Sequence, residues 1–203
     1  ANGGEVGRIR TGDDDDTVTV ENGAEVDAVR TRGGNDQVTV QGNSEVGLVR
    51  TDHGDDTVTA LSGADIHALR TGSGDDTVSI DNATIRNIDL GDGTNTLGLD
   101  NGGKVFYAFS HGGANSVSLD GDSRINSLEM GSGSGTVDVL GGSNIGTLNL
   151  YEGAYTLNLT KGTSDSSGVE LITSWMAKLT VNLQSDDTWI NAMVLNGAIT
   201  GTH

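Results

Sequence analysis

The segment Arg10-Thr11-Gly12-Asp13-Asp14-Asp15-Asp16-Thr17-Val18-Thr19-Val20 returns, with small changes, four times in the first half of the chain. Arg10, Arg30, Arg50 and Arg70 mark the returns, as do Asp16, Asp36, Asp56 and Asp76, each twenty residues after the last. A fixed period of this size is the signature of stacked repeats in which each unit buries its apolar face only against its neighbours. One coil of strand, turn, strand and turn then lies on the next. Equivalent side chains form files along the outside and columns along the inside.

The model coil runs from Arg70 to Ile88. Thr71-Gly72-Ser73-Gly74-Asp75 reads as a loop, because glycine supplies the positive φ of tight turns. Asp76-Thr77-Val78-Ser79-Ile80 alternates polar and apolar residues, the pattern of a strand with one buried face. Asp81-Asn82-Ala83 is a second turn. Ile85 and Ile88 then point inward, as Val26/Val29, Val46/Val49 and Ile66/Leu69 do in earlier coils. From residue 89 the frame persists while the loop code changes. The Asp76 position becomes Asn95, Asn115, Gly135 and Tyr155; the Thr71 position becomes Leu90, Ser110, Met130 and Leu150. The expected fold is all-β: a single-stranded, right-handed parallel β-helix of about eight 20-residue coils. At about 4.8 Å per coil this is a rod on the order of 40 Å long. Residues 1–160 form the repeat solenoid. Residues 161–203 break period and are expected to cap it, with Ser166 to Lys178 reading as a short amphipathic helix or a strand, and Leu179–Leu183 as a strand before a turn over 184–188.

Composition narrows the function classes. With 11 basic and 29 acidic residues the net charge is −18, which disfavours nucleic acid and anionic membrane surfaces. There is no cysteine, hence no disulfide and no thiolate metal site. No apolar run reaches the length of a transmembrane helix. The opening Ala1-Asn2-Gly3-Gly4 has neither initiator Met nor signal-like segment, and reads as a processed piece of something larger.

Two files carry candidate chemistry. Asp16, Asp36, Asp56 and Asp76 stack with Asp15, Asn35, Asp55 and Asp75 beside them. Carboxylates about 5 Å apart repel by roughly 3 kcal/mol at an effective dielectric near 20. Calcium between the loops would relieve this, as would the Arg file or splaying into water. Gly72-Ser73-Gly74-Asp75-Asp76-Thr77-Val78 resembles part of the nonapeptide of RTX calcium-binding β-rolls. That resemblance implies Ca²⁺ on the carboxylates of Asp16, Asp36, Asp56 and Asp76, although Thr71 replaces the first glycine and only one loop per coil carries the pattern. The second file is Arg10, Arg30, Arg50 and Arg70. It reads either as a surface charge lattice paired with Glu25, Glu45 and Asp65, or as a track for an anion or sugar acid. An outward Thr file (Thr17, Thr57, Thr77, Thr96, Thr136, Thr156) is interrupted by Gln37 and Ser116, too irregular for an ice-binding face. The four histidines share no file, so they read as surface residues. Phe106, Tyr107 and Phe109 read as local packing. No nucleophile–histidine–acid spacing is present, and the loops are short, so the chain is not expected to be an enzyme; a polysaccharide-processing β-helix is the catalytic alternative.

At the carboxyl end, Leu179-Thr180-Val181-Asn182-Leu183, a polar turn, Thr188-Trp189 and Ala192-Met193-Val194-Leu195-Asn196-Gly197-Ala198-Ile199 resemble the closing, autochaperone region of bacterial autotransporter passengers. The resemblance covers about a tenth of the chain. Membrane anchoring is not expected to come from this segment itself. The resemblance implies an extracellular or cell-surface passenger acting as an adhesin or display rod. Its partners would be host or sister-cell surface molecules, protein or glycan, with self-association possible. It also implies that the tail seeds folding.

Overall fold

The computed structural model describes residues 3–160, 167–184, 188–196 and 199–202. They form β1 (Glu5–Arg10), β2 (Thr17–Val20), β3 (Glu25–Arg30), β4 (Gln37–Val40), β5 (Glu45–His53), β6 (Thr57–Leu61), β7 (Asp65–Ser73), β8 (Thr77–Asp81) and β9 (Thr84–Asp89). The series continues with β10 (Thr96–Asp100), β11 (Lys104–Leu119), β12 (Arg124–Val139), β13 (Asn144–Leu150), β14 (Gly153–Leu159), β15 (Gly168–Trp175), β16 (Ala177–Leu183), β17 (Trp189–Asn196) and β18 (Ile199–Thr202).

Every strand pairs in parallel with its equivalent one coil away. One ladder runs β1, β3, β5, β7, β9, the first half of β11 and of β12, β13, β15 and β17. The other runs β2, β4, β6, β8, β10, the second half of β11 and of β12, β14, β16 and β18. The twenty-residue register is direct: Val18 pairs with Val38, Val38 with Val58 and Val58 with Val78. That column continues through Leu97, Val117, Val137, Leu157 and Val181. The chain is thus a parallel β-solenoid: the eight coils expected before residue 160 are present, β1 to β14, and the tail strands β15 to β18 continue the stack.

Strand alternation sorts the side chains. In β2 and β8 the Val and Ile positions are buried while the intervening Thr and Ser stay at the surface. Val49, Ile66, Val58, Leu97, Ile125, Ile145 and Leu148 are fully enclosed in one continuous core. This column packing is what holds adjacent coils in register.

Two expectations change. The segment that reads as helix or strand after residue 166 is strand β15, which pairs with β13 across a 24-residue offset. It belongs to the same stack, as do β16, β17 and β18. The corner after each Arg is also more regular than a loop. β5 and β7 run through it to His53 and Ser73, and β11 and β12 cross it unbroken. Of the turn expected over 184–188, residues 185–187 lie outside the described residues.

Candidate functional site

The acidic corner is built by the same alternation. Asp76 stands two residues before Val78 and therefore shares its inward face; Thr71 stands two after Leu69 and does likewise. Asp36, Asp56 and Asp76 are each 1% exposed, and Thr31, Thr51 and Thr71 are fully buried. This corrects the expectation of a file splayed into water. It also corrects the Arg-neutralised reading: among the described residues, no Arg of the file forms an ion pair with Asp16, Asp36, Asp56 or Asp76.

What the carboxyls do is accept backbone hydrogen bonds from the preceding coil. Asp16 N donates to Asp36 Oδ1 (2.9 Å), Asp36 N to Asp56 Oδ1 (2.8 Å) and Asp56 N to Asp76 Oδ1 (2.9 Å). The ladder continues with Asp76 N to Asn95 Oδ1 and Asn95 N to Asn115 Oδ1, both 2.9 Å. The neighbouring exposed file runs the opposite way. Asn35 N donates back to Asp15 Oδ1 (2.7 Å), Asp55 N to Asn35 Oδ1 (2.8 Å), Asp75 N to Asp55 Oδ1 (2.8 Å) and Thr94 N to Asp75 Oδ1 (2.7 Å). Each acidic pair therefore clamps its coil to both neighbours, satisfying corner amides that strand pairing does not reach.

Burial sets the electrostatics. Desolvation, reinforced by the charges of Asp56 and Asp55, pushes the Asp76 carboxyl up to about 6 despite the hydrogen bond from Asp56 N and the adjoining Thr71 hydroxyl. Desolvation also raises Asp56, with Asp36 and Asp55 adding to it. Asp16, in the first coil, is lowered by hydrogen bonds from Thr11 and from Gly12 N. For calcium, the column offers little: one carboxylate oxygen per coil already accepts an amide, whereas the ion takes six to eight oxygens. Among the described residues no group of three or more His, Asp or Glu side chains is placed to hold a metal.

The Arg file lies on an outer face of the first ladder. Arg10, Arg30, Arg50 and Arg70 are register partners in successive coils. The same column then holds Asp89, Phe109, Glu129, Asn149 and Thr173. Arg50 donates to Asp52. Glu45 and Asp65, expected to neutralise the file, instead meet His67 (2.8 Å) and Arg86 (2.8 Å). Arg30 Nε is buried with no hydrogen-bond partner. Arg70 and Asp89 form a ridge between two clefts. One, of about 250 Å³, is lined by Arg50, Asp52, Arg70, Asp89, Asp92 and His111. The other, of about 350 Å³, carries Arg70, Asn87, Asp89, Tyr107 and Phe109. His111 Nε2 lies 3.0 Å from Asp89 Oδ1, and its ring sits 4.6 Å from that of Phe109. Desolvation, with help from Glu129, pushes the Tyr107 phenol up to about 12. The guanidinium file thus gives way to Asp89 and then to the half-buried Phe109, with Tyr107 and Phe106 exposed beside it. The sequence marked the Arg residues but not this junction, because Arg70 and Tyr107 meet only once the coils are stacked.

A third groove, about 340 Å³, lies near the carboxyl end between Tyr151, Trp175 and Val194. Tyr155, by contrast, is core: it fills the column above Gly135 and its hydroxyl donates to Gly131 O.

These features define a parallel β-solenoid repeat protein. No family model, no curated protein and no solved structure matches the chain.

Proposed function

We propose that this chain is a rigid display segment of an extracellular bacterial protein, and that its Arg face binds an acidic glycan on a host or sister-cell surface. The observation that carries this reading is the in-register file Arg10, Arg30, Arg50 and Arg70, of which Arg50 alone has an acidic partner in the described ion pairs. Guanidinium groups repeated at strand spacing, about 4.8 Å, repel one another by roughly 3 kcal/mol per neighbour at an effective dielectric near 20. A linear polyanion relieves that repulsion, and guanidinium pairs with carboxylates bidentately. Tyr107 and Phe109 add apolar ring faces at the end of the file on which a sugar ring can lie. The autotransporter resemblance supports the extracellular setting.

The test is binding of the intact chain to immobilised polygalacturonate, a sulfated glycan and neutral dextran. Salt-sensitive binding to the uronate polymer, lost in Arg50→Ala/Arg70→Ala and absent on dextran, supports the proposal. Equal binding by the double variant, or binding to dextran, refutes it. Release of shortened or unsaturated sugar products would replace the binding role with polysaccharide processing.

A further inference from the structure

The inner acidic column poses an accounting problem that the Arg face does not touch. Oδ1 of Asp56 and Asp76 accepts a backbone amide, but Oδ2 of each is out of reach of water and has no hydrogen-bond partner. The side chains lying against these carboxyls are Thr51 and Thr71. Each threonine has one hydroxyl proton, and it is engaged elsewhere: Thr51 Oγ1 donates to Thr71 O (3.0 Å) and Thr71 Oγ1 to Leu90 O (2.9 Å). Toward the carboxyl the hydroxyl therefore presents lone pairs. An ionised carboxylate, which only accepts, would face an acceptor.

The next residue of the column shows what the position requires. Asn95 replaces Asp and accepts from Asp76 N with Oδ1, as an aspartate does. Its Nδ2 then donates within its own coil, to Leu90 O (3.0 Å), where no threonine is present. Asn115 repeats this, with Nδ2 donating to Gly112 O (2.8 Å). The column thus calls for a neutral group that accepts from the preceding coil and donates inside its own. A carboxylic acid does both; a carboxylate does one.

We infer that in the folded rod at mildly acidic pH Asp56 and Asp76 are neutral carboxylic acids, each donating Oδ2–H to the threonine Oγ1 of its own coil, which in turn donates to the carbonyl of the next. The proton is thereby a structural ligand of the solenoid. The groups that face these carboxyls agree with that assignment. Asp36 and Asp55 act on Asp56, and Asp56 and Asp55 act on Asp76, all of the same sign. From the preceding strands, Arg50 turns outward to Asp52 and Arg70 is exposed on the ridge. His53 meets Ser73, away from the column. The remaining inward positions at this level, Val58, Val78, Ile66 and Leu69, are aliphatic. The raised titration of Asp76 fits as well.

The sign of the pH effect follows. The unfolded carboxyl titrates near 3.8 and the folded Asp76 near 6, so between these values the folded chain holds a proton that the unfolded chain releases. Stability falls as pH rises through that window, by roughly a hundredfold in the unfolding equilibrium for Asp76, since each pKa unit is tenfold.

The experiment uses the full chain. Infrared spectra at pH 7 to 4.5 should show carboxylic-acid C=O absorption, with the Asp76 component titrating near pH 6, diminished in Asp56→Asn/Asp76→Asn. Melting temperature should rise from pH 7.5 to 5 in the unaltered protein. The double variant should melt higher at pH 7.5 with a flatter profile. Asp15→Asn/Asp75→Asn, which removes equal charge from the exposed file but spares the charges that act on Asp56 and Asp76, should keep the slope. Absence of acid absorption above pH 5 overturns the inference, even if the double variant fails to fold. So does an equal loss of slope in the exposed-file variant. A calcium-dependent rise in melting temperature at pH 7.5, absent from Asp56→Asn/Asp76→Asn, overturns it in favour of a cation on the same oxygens.

Discussion

Gly74 and Gly102 both adopt positive φ, +132° and +80°, yet they occupy opposite environments. A methyl group at Gly102 meets nothing within 4 Å. Gly102→Ala should therefore cost only the left-handed backbone penalty, about 1–2 kcal/mol. At Gly74 the new Cβ would lie 2.1 Å from Gly54 O in the coil below. Restoring van der Waals distance separates the two corners by about 1 Å, enough to break hydrogen bonds whose donor–acceptor distances span only a few tenths of an ångström. The bonds at risk are Gly54 N to Ser73 O (3.0 Å) and Asp75 N to Asp55 Oδ1 (2.8 Å). At about 1 kcal/mol each, added to a backbone penalty of about 1–3 kcal/mol, Gly74→Ala should cost about 3–5 kcal/mol. Urea unfolding of both variants, followed by circular dichroism at 25 °C, gives the comparison. Equal midpoints would refute the claim that corner glycines are selected by coil-on-coil contact rather than by φ.

Other substitutions probe other levels of the fold. Leu148→Ala empties a fully buried site between Leu128 and Ile172 and should destabilise by about 2–5 kcal/mol in the same urea assay. Tyr155→Phe removes the donor to Gly131 O and should cost about 1–2 kcal/mol, with the strand spectrum unchanged. Tyr107→Phe should delete the phenolate absorbance step near pH 12 from the ultraviolet titration. Arg86→Ala breaks an exposed pair with Asp65 and should leave the melting temperature where it is.

Much of the architecture was legible because the period and the alternation reinforce each other. Val18, Val38, Val58 and Val78 recur at one spacing and sit at one parity, so register and buried face follow together. The acidic residues were legible as a file but not as an interior one. Charge drew them outward, although Asp76 stands on the parity of Val78 and the position turns to Tyr155 and Leu179 in later coils. Parity outweighed polarity because the neighbouring coil supplies an amide for each carboxyl to accept. The tail resisted because its offsets are 24 and 21 residues, so Trp175 and Met193 fall out of phase with the repeat. The meeting of Arg70, Tyr107 and Phe109 involves residues that share no motif; their adjacency exists only after stacking.

The inner column passes from carboxyls at Asp36 to Asp76, through amides at Asn95 and Asn115, to Tyr155 and Leu179. Each coil leans only on its neighbours, so such a gradient makes the rod unequal along its axis. At neutral pH a crack opening from the amino-terminal coils propagates cheaply through the charged corner and is arrested at the amide step. The carboxyl-terminal coils then stand as a template on which the lost ones can be rebuilt.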